Sequence, residues 1–243
     1  MNQMIKLKLA IIVGALSFIF SKEANHPPVV KILTPKNGSS ASLNSQVRYT
    51  ISVSDKEDGD SKYQEINPLE VLMQVRYVED ATTIAKDTAA FSKMGTNGTG
   101  VVAPGLQLML QSNCLNCHAF NAPLLGPSFF DINGKYRANA DANSSLVKHV
   151  LEGSTGIWGK GVMPSHPELS KDVATKMVQW ILEKAGDKNV AYYSGTEGAI
   201  KLTAPSANNK GAFIITASYK DHNTSDDPKN GLTGAETIVI YAK

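Results

Sequence analysis

The 243-residue chain has only two cysteines, so at most one disulfide can form and a disulfide-dense scaffold is excluded. Neither sign of charge is in excess. With 24 Lys plus Arg against 22 Asp plus Glu there is no basic field to neutralise a phosphate backbone, and nucleic acid is excluded as a partner. Long apolar runs are scarce as well. The uncharged segment Leu9 to Phe20 is 12 residues long, short of the roughly 18 that a bilayer core requires, so no stable membrane span is expected. Lys6 and Lys8 precede this segment and Ser21, Lys22 and Glu23 follow it, the layout of a secretory signal. Residues 1–24 are therefore read as a signal peptide and the product as periplasmic or secreted, with an uncleaved N-terminal anchor as the alternative. No cysteine follows the run, which excludes lipid attachment there.

The composition of the whole chain is that of an ordinary globular protein, 42% hydrophobic. Val47, Tyr49, Ile51 and Val53 alternate with Arg48, Thr50, Ser52 and Ser54, a period of two that predicts a half-buried strand. Val71, Met73, Val75 and Tyr77 repeat it, and Val29 to Leu33 ahead of Pro35-Lys36-Asn37-Gly38 forms a third strand before a turn. From Phe91 to Gly105 the chain turns to Gly, Thr, Asn and Pro, a linker, and helical periodicity then persists to about Ala185. Alternation returns with Phe213, Ile215, Ala217 and Tyr219 and a last β-rich run from Glu236 to Ala242. Neither β segment covers its own apolar face, so one interrupted antiparallel sandwich is expected, with two separate β units flanking the middle as the rival. The predicted division is a β part over 26–90, a helical domain over 100–186 and a second β part over 196–243.

The two cysteines fall in Cys114-Leu115-Asn116-Cys117-His118, the pattern of covalent c-type haem attachment. On one helical turn the positions i, i+3 and i+4 share a face. Two thiols can then bond the vinyl groups of one macrocycle while the imidazole reaches its iron. A four-cysteine zinc site lacks its second pair, and a dithiol redox motif expects a strand running into it, where Leu106, Leu108, Met109 and Leu110 instead predict a short helix. For the opposite side of the iron the candidates are Met163, Met177, His149 and His166. Met163 is favoured, because Gly153, Gly156, Gly159 and Gly161 permit close backbone approach and Pro164 biases Met163 to an extended conformation. Met177 lies on the apolar stripe of a helix with Val173, Trp180 and Ile181, where methionines pack.

Residues 105–185 resemble a class I cytochrome c of the small bacterial type. The resemblance rests on Cys114-x-x-Cys117-His118, on Gly126-Pro127-Ser128-Phe129 before a helix ending in Tyr136, on Trp158-Gly159-x-x-x-Met163-Pro164, and on a last helix carrying Trp180. It implies an all-α cytochrome domain, one haem c bound through Cys114 and Cys117, and axial ligation by His118 and Met163. It also implies a Pro127 carbonyl supporting the ligand histidine and a Trp158 indole donating to a haem propionate. The flanks, Pro27 to Asp80 and Gly211 to Tyr241, are similar to the PKD or immunoglobulin-like β-sandwich carried with a cytochrome c in secreted quinoprotein sugar dehydrogenases. The expected fold is thus multi-domain, α plus β, the cytochrome inserted in or flanked by that sandwich. In those fusions a propeller oxidises the sugar, and with every segment here assigned the chain reads as a detached electron-accepting portion.

The expected function is single-electron transfer, from a dehydrogenase donor to a downstream cytochrome or oxidase, with no catalytic domain recognised. Two other readings stand beside it: a haem enzyme of peroxidase type, which needs an open iron position, and a sandwich that binds a partner and carries haem as accessory. The acidic stretch Asp55 to Asp60 does not fit EF-hand spacing and is read as a solvated turn.

Overall fold

The computed structural model describes residues 24–86, 102–204, 210–222 and 231–243. The apolar lead segment and most of the Gly-rich linker lie outside the described residues. Five strands come first, β1 (Val29–Thr34), β2 (Ser40–Ala41), β3 (Gln46–Asp55), β4 (Gly59–Asp60) and β5 (Leu72–Val78). The middle holds α1 (Pro104–Leu110), α2 (Phe129–Tyr136), α3 (Ala142–Glu152), the hairpin β6 (Ser154–Gly156) and β7 (Gly159–Met163), and α4 (Lys171–Lys184). Four more strands follow, β8 (Val190–Ser194), β9 (Glu197–Lys201), β10 (Ala212–Lys220) and β11 (Thr233–Ala242).

Strands from both flanks share both sheets. One sheet sets β1, β4 and β9 around β3, and the other runs β2-β11-β10-β5-β8. The two β segments are therefore a single two-sheet unit, joined by the antiparallel pairs β3 with β9, β5 with β10 and β5 with β8. The alternating residues meet between the sheets as expected: Tyr49, Ile51 and Val53 pack with Met73, Val75, Tyr77, Phe213, Ile215, Ala217 and Tyr219. Each such large apolar side chain contributes about 1.5–3 kcal/mol relative to exposure. The outer face of β10 is also buried, which alternation does not predict. Ala212 and Ile214 are covered by Ile84 of the 3₁₀ turn Ala81–Lys86, and the Thr216 hydroxyl pairs with that of Thr237 at 2.9 Å.

The helical segment enters and leaves at one place. β5 ends at Val78, and β8 begins at Val190, which lies opposite Arg76 in the ladder. An insertion is tolerated between neighbouring strands when its own ends come together in this way. The acidic stretch does form a turn between β3 and β4, but it is not the solvated turn that its polarity predicts. Asp55 is 8% exposed, and Asp58 Oδ2 accepts from the Tyr219 hydroxyl at 2.6 Å and the His222 backbone N–H at 2.9 Å. Local polarity gives no sign of these partners, which lie more than 160 residues away in sequence.

The helices pack around a second core of Leu106, Met109, Phe120, Phe129, Ile132, Met177, Val178, Trp180 and Ile181. Ser128 and Ser170 cap α2 and α4, accepting from the backbone N–H of Asp131 (3.0 Å) and Val173 (3.2 Å). Asn133, 3% exposed, donates its amide to Ile181 O (2.9 Å) and Leu182 O (2.8 Å) near the end of α4. Leu72 of β5 belongs to this helical core, and Tyr192 of β8 packs on Phe120 and Trp180 at 5.6 and 5.2 Å between ring centroids. Asn121 Nδ2 adds a bond to Tyr192 O at 2.8 Å. Helices and sandwich are thus packed against one another. Among the described residues no helix is long and apolar enough to cross a membrane.

Candidate functional site

The Cys114-x-x-Cys117-His118 segment follows α1 as one tight turn. Asn113 takes a left-handed conformation (φ 58°) that ends the apolar helix, and the backbone N–H groups of Cys117 and His118 both donate to Cys114 O, at 3.3 and 3.0 Å. The chain then doubles back. Leu125 and Gly126 donate to Cys117 O (3.1 and 2.8 Å), and Phe129 and Phe130 donate to Ala119 O and Phe120 O (both 3.0 Å). This return brings Pro127 O to 2.7 Å from His118 Nδ1 and stacks the Phe129 ring on the imidazole with centroids 5.5 Å apart.

Because a carbonyl only accepts, His118 Nδ1 carries the hydrogen and the Nε2 lone pair is left available. Burial holds the His118 pKa below the ordinary histidine range, and His166 nearby lowers it further against the opposing pull of the Pro127 carbonyl. That direction favours the neutral ring, the form a metal ligand requires. Cys114 and Cys117 are both free and partly buried, and burial pushes the Cys114 thiol up to about 11. A pair of unlinked thiols beside a neutral imidazole with one nitrogen pre-oriented fits covalent haem attachment, and disfavours a dithiol redox site, which needs a lowered thiol pKa.

Gly126 is the residue whose part in this site sequence reasoning left unassigned. A Cβ there would sit 2.6 Å from His118 Cε1 and 3.0 Å from Nδ1. Gly126→Ala is expected to swing the imidazole off Pro127 and cost about 1–3 kcal/mol of stability in denaturant melts. Gly134→Ala, whose Cβ meets nothing within 4 Å, is the neutral control.

Met163 is the last residue of β7, opposite Ser154, and is partly buried. A Cβ at Gly153 would lie 2.7 Å from Met163 O, so the loop is drawn close at this point, and His166 N donates to Val150 O at 3.1 Å just beyond it. The same strand runs beside the histidine-holding turn, since a Cβ on Gly161 would contact Leu125 O at 3.7 Å. Trp158 occupies the tip of the hairpin between Gly156 and Gly159, 42% exposed, with Lys135 Nζ 4.3 Å from its ring centroid and Tyr136 edge-on at 6.3 Å. Met177 is 2% exposed inside the helical core, His149 is half-buried on α3, and His166 Nδ1 pairs with Glu168 at 2.9 Å.

No family model matches the chain. Individual proteins do match its helical third. Cytochrome c-551 of Allochromatium vinosum is 36% identical over 77 residues, 32% of this chain and 82% of that protein. Cytochrome c-552 of Hydrogenobacter thermophilus is 34% identical over 84 residues, covering 34% of this chain and 84% of that protein. The crystal structure of Nitrosomonas europaea cytochrome c552 aligns at 34% identity over 32% of this chain and 95% of that one, with a TM-score of 0.31. Taken with the turn that presents two free thiols and a pre-oriented imidazole, this identity over more than four fifths of the Allochromatium and Hydrogenobacter proteins means that the chain belongs, through its helical part, to the family of small bacterial cytochromes c-551 and c-552, and that its cofactor is covalently bound haem c.

Proposed function

We propose that the chain is a single-electron carrier that accepts electrons from a periplasmic or secreted dehydrogenase, passes them to a downstream cytochrome or oxidase, and has no catalytic activity of its own. The bound haem supplies a one-electron iron couple. Cys114 and Cys117 would hold it by thioethers, His118 Nε2 and the Met163 sulfur would be the two protein donors to its iron, and the Trp158 indole would donate to a propionate. The observation that carries the reading is the 2.7 Å bond from His118 Nδ1 to Pro127 O, which holds one tautomer and one ring orientation beside the two thiols. Phe129, stacked on the imidazole, and Phe120, edge-on to Phe129 at 5.6 Å, keep water from that side, which limits solvent reorganisation when charge changes. With His118 and Met163 both retained as donors, the iron would have no open position for peroxidase chemistry.

The flanking two-sheet unit is read as an immunoglobulin or PKD-like sandwich that positions the cytochrome against its donor. Two-layer packing, mostly antiparallel pairing and a core between the sheets support this reading.

The test is the exported full-length protein. Its spectrum should be that of a low-spin c-type cytochrome, and the chromophore should stay with the polypeptide after denaturation. Cys114→Ser should leave one attachment and yield a cofactor that is partly extracted by acid and organic solvent. A colourless protein with two titratable thiols would end the proposal.

A further inference from the structure

Three aromatic rings lead from the His118 imidazole to the sandwich. Phe129 lies nearly parallel to the imidazole at 5.5 Å between centroids, Phe120 meets Phe129 edge-on at 5.6 Å, and Tyr192 of β8 meets Phe120 at 5.6 Å. Trp180 of α4 braces the last pair, 6.2 Å from Phe120 and 5.2 Å from Tyr192. Hydrogen bonds repeat the connection. Asn121 Nδ2 donates to Tyr192 O at 2.8 Å, and the backbone N–H groups of Phe129 and Phe130 donate to Ala119 O and Phe120 O. The return that carries Pro127 is thus fastened to a segment that is itself fastened to β8.

The bond to Pro127 O fixes one nitrogen of His118, but a single hydrogen bond leaves a ring free to rock about it. The face of Phe129 opposes that rocking, and Phe120 backs Phe129 in turn. Of the rings against Phe120, Phe129 and Trp180 belong to helices, whereas Tyr192 belongs to the sandwich. β8 does not drift with the helices, because it pairs with β5 from Leu72 opposite Ser194 to Arg76 opposite Val190. Tyr192 is half-buried, and burial pushes its hydroxyl up to about 12, which puts the ring inside the joint. Close-packed rings have few alternative arrangements, so a restraint placed on Phe120 is passed along the row.

Given His118 as the haem ligand, the reading on which this rests, we propose that Tyr192 is a positioning residue of the haem site, holding the His118 imidazole on the Pro127 carbonyl through Phe120 and Phe129. Its effect is on the motion of the ring. With the Nδ1–H bond kept closed, the Nε2 lone pair keeps one direction and the imidazole keeps the basicity of a hydrogen-bonded ring. The sandwich is then more than a mount for the cytochrome: one of its side chains sets how tightly the ligand nitrogen is held.

The experiment uses the reduced, full-length, haem-loaded protein with its histidine rings and backbone amides labelled with ¹⁵N, and reads by NMR the exchange of the His118 Nδ1 hydrogen with water. Tyr192→Leu, which keeps bulk and removes the ring, should speed that exchange about tenfold. Tyr192→Phe keeps the ring contacts and should exchange as the parent does. Asn121→Ala, which removes the bond to Tyr192 O, should speed it about threefold. The acceleration at His118 should exceed that at the Val178 and Ile181 amides of α4, which separates positioning from general loosening of the helical core. Should Tyr192→Leu fail to fold, Asn121→Ala decides, since its side chain is exposed. Unchanged His118 exchange in a folded Tyr192→Leu or in Asn121→Ala, equal acceleration at His118 and at the α4 amides, or a Tyr192→Phe as fast as Tyr192→Leu would each overturn the proposal while leaving the electron carrier intact. A colourless parent would overturn both.

Discussion

Met163→Ala should lower the reduction potential by on the order of 0.1 V or more, a substantial part of the roughly 0.8 V that axial ligation spans. A thioether favours the reduced iron, and alanine puts neither sulfur nor any other donor in its place. The variant should also bind imidazole or cyanide rapidly and lose the sulfur-to-iron charge-transfer band. His166 is three residues away and is held by Glu168 at 2.9 Å, so one detour exists. If His166 swings in, the potential still falls but external ligands are refused, and Met163→Ala combined with His166→Ala separates the two outcomes. An unchanged potential would remove Met163 from the axial position. Met177→Ala is the contrast: at 2% exposure in the helical core it should cost stability, about 2–5 kcal/mol, and leave the charge-transfer band in place.

Gly105→Ala should be the most damaging single methyl addition among the helices. A Cβ there would lie 2.1 Å from Lys176 O, 2.8 Å from Lys176 C and 2.9 Å from Trp180 Cβ. Two of these are backbone atoms of α4 and cannot turn aside, so α1 and α4 must separate, at about 3 kcal/mol. Better helix propensity returns about 1 kcal/mol, and the overpacking wins. The net loss of about 2 kcal/mol corresponds to a melting temperature lower by about 4–8 °C, measured by circular dichroism on the haem-loaded protein. Retention of the parent melting temperature would mean that the two helices do not cross as tightly as the structure has them.

What was legible in the chain was what is local. Cys114, Cys117 and His118 announce themselves because i, i+3 and i+4 suffice to state their geometry, and the strand faces through Val53, Val75 and Ile215 follow from a period of two. Tertiary closeness was not legible. Gly126 reads as half of a Gly-Pro pair until the backbone return sets it against His118, and Gly105 reads as a weak helix residue until α4 lies on it. The pairing of Arg76 with Val190 joins strands more than a hundred residues apart, which no window reaches. Polarity also misleads about the acidic turn, where Asp55 is 8% exposed and Asp58 is held by Tyr219 and His222 from the far end of the chain.

The departure at Val78 and return at Val190 give the cytochrome two covalent moorings on neighbouring strands, and Leu72 and Tyr192 seat it on the sheet between them. A module hung on a single tether sweeps a wide cone of directions. One moored twice and seated has a nearly fixed attitude. Any surface that grips the sandwich therefore also aims the thiol-bearing turn, and the distance over which an electron must jump is set by where the sandwich is held.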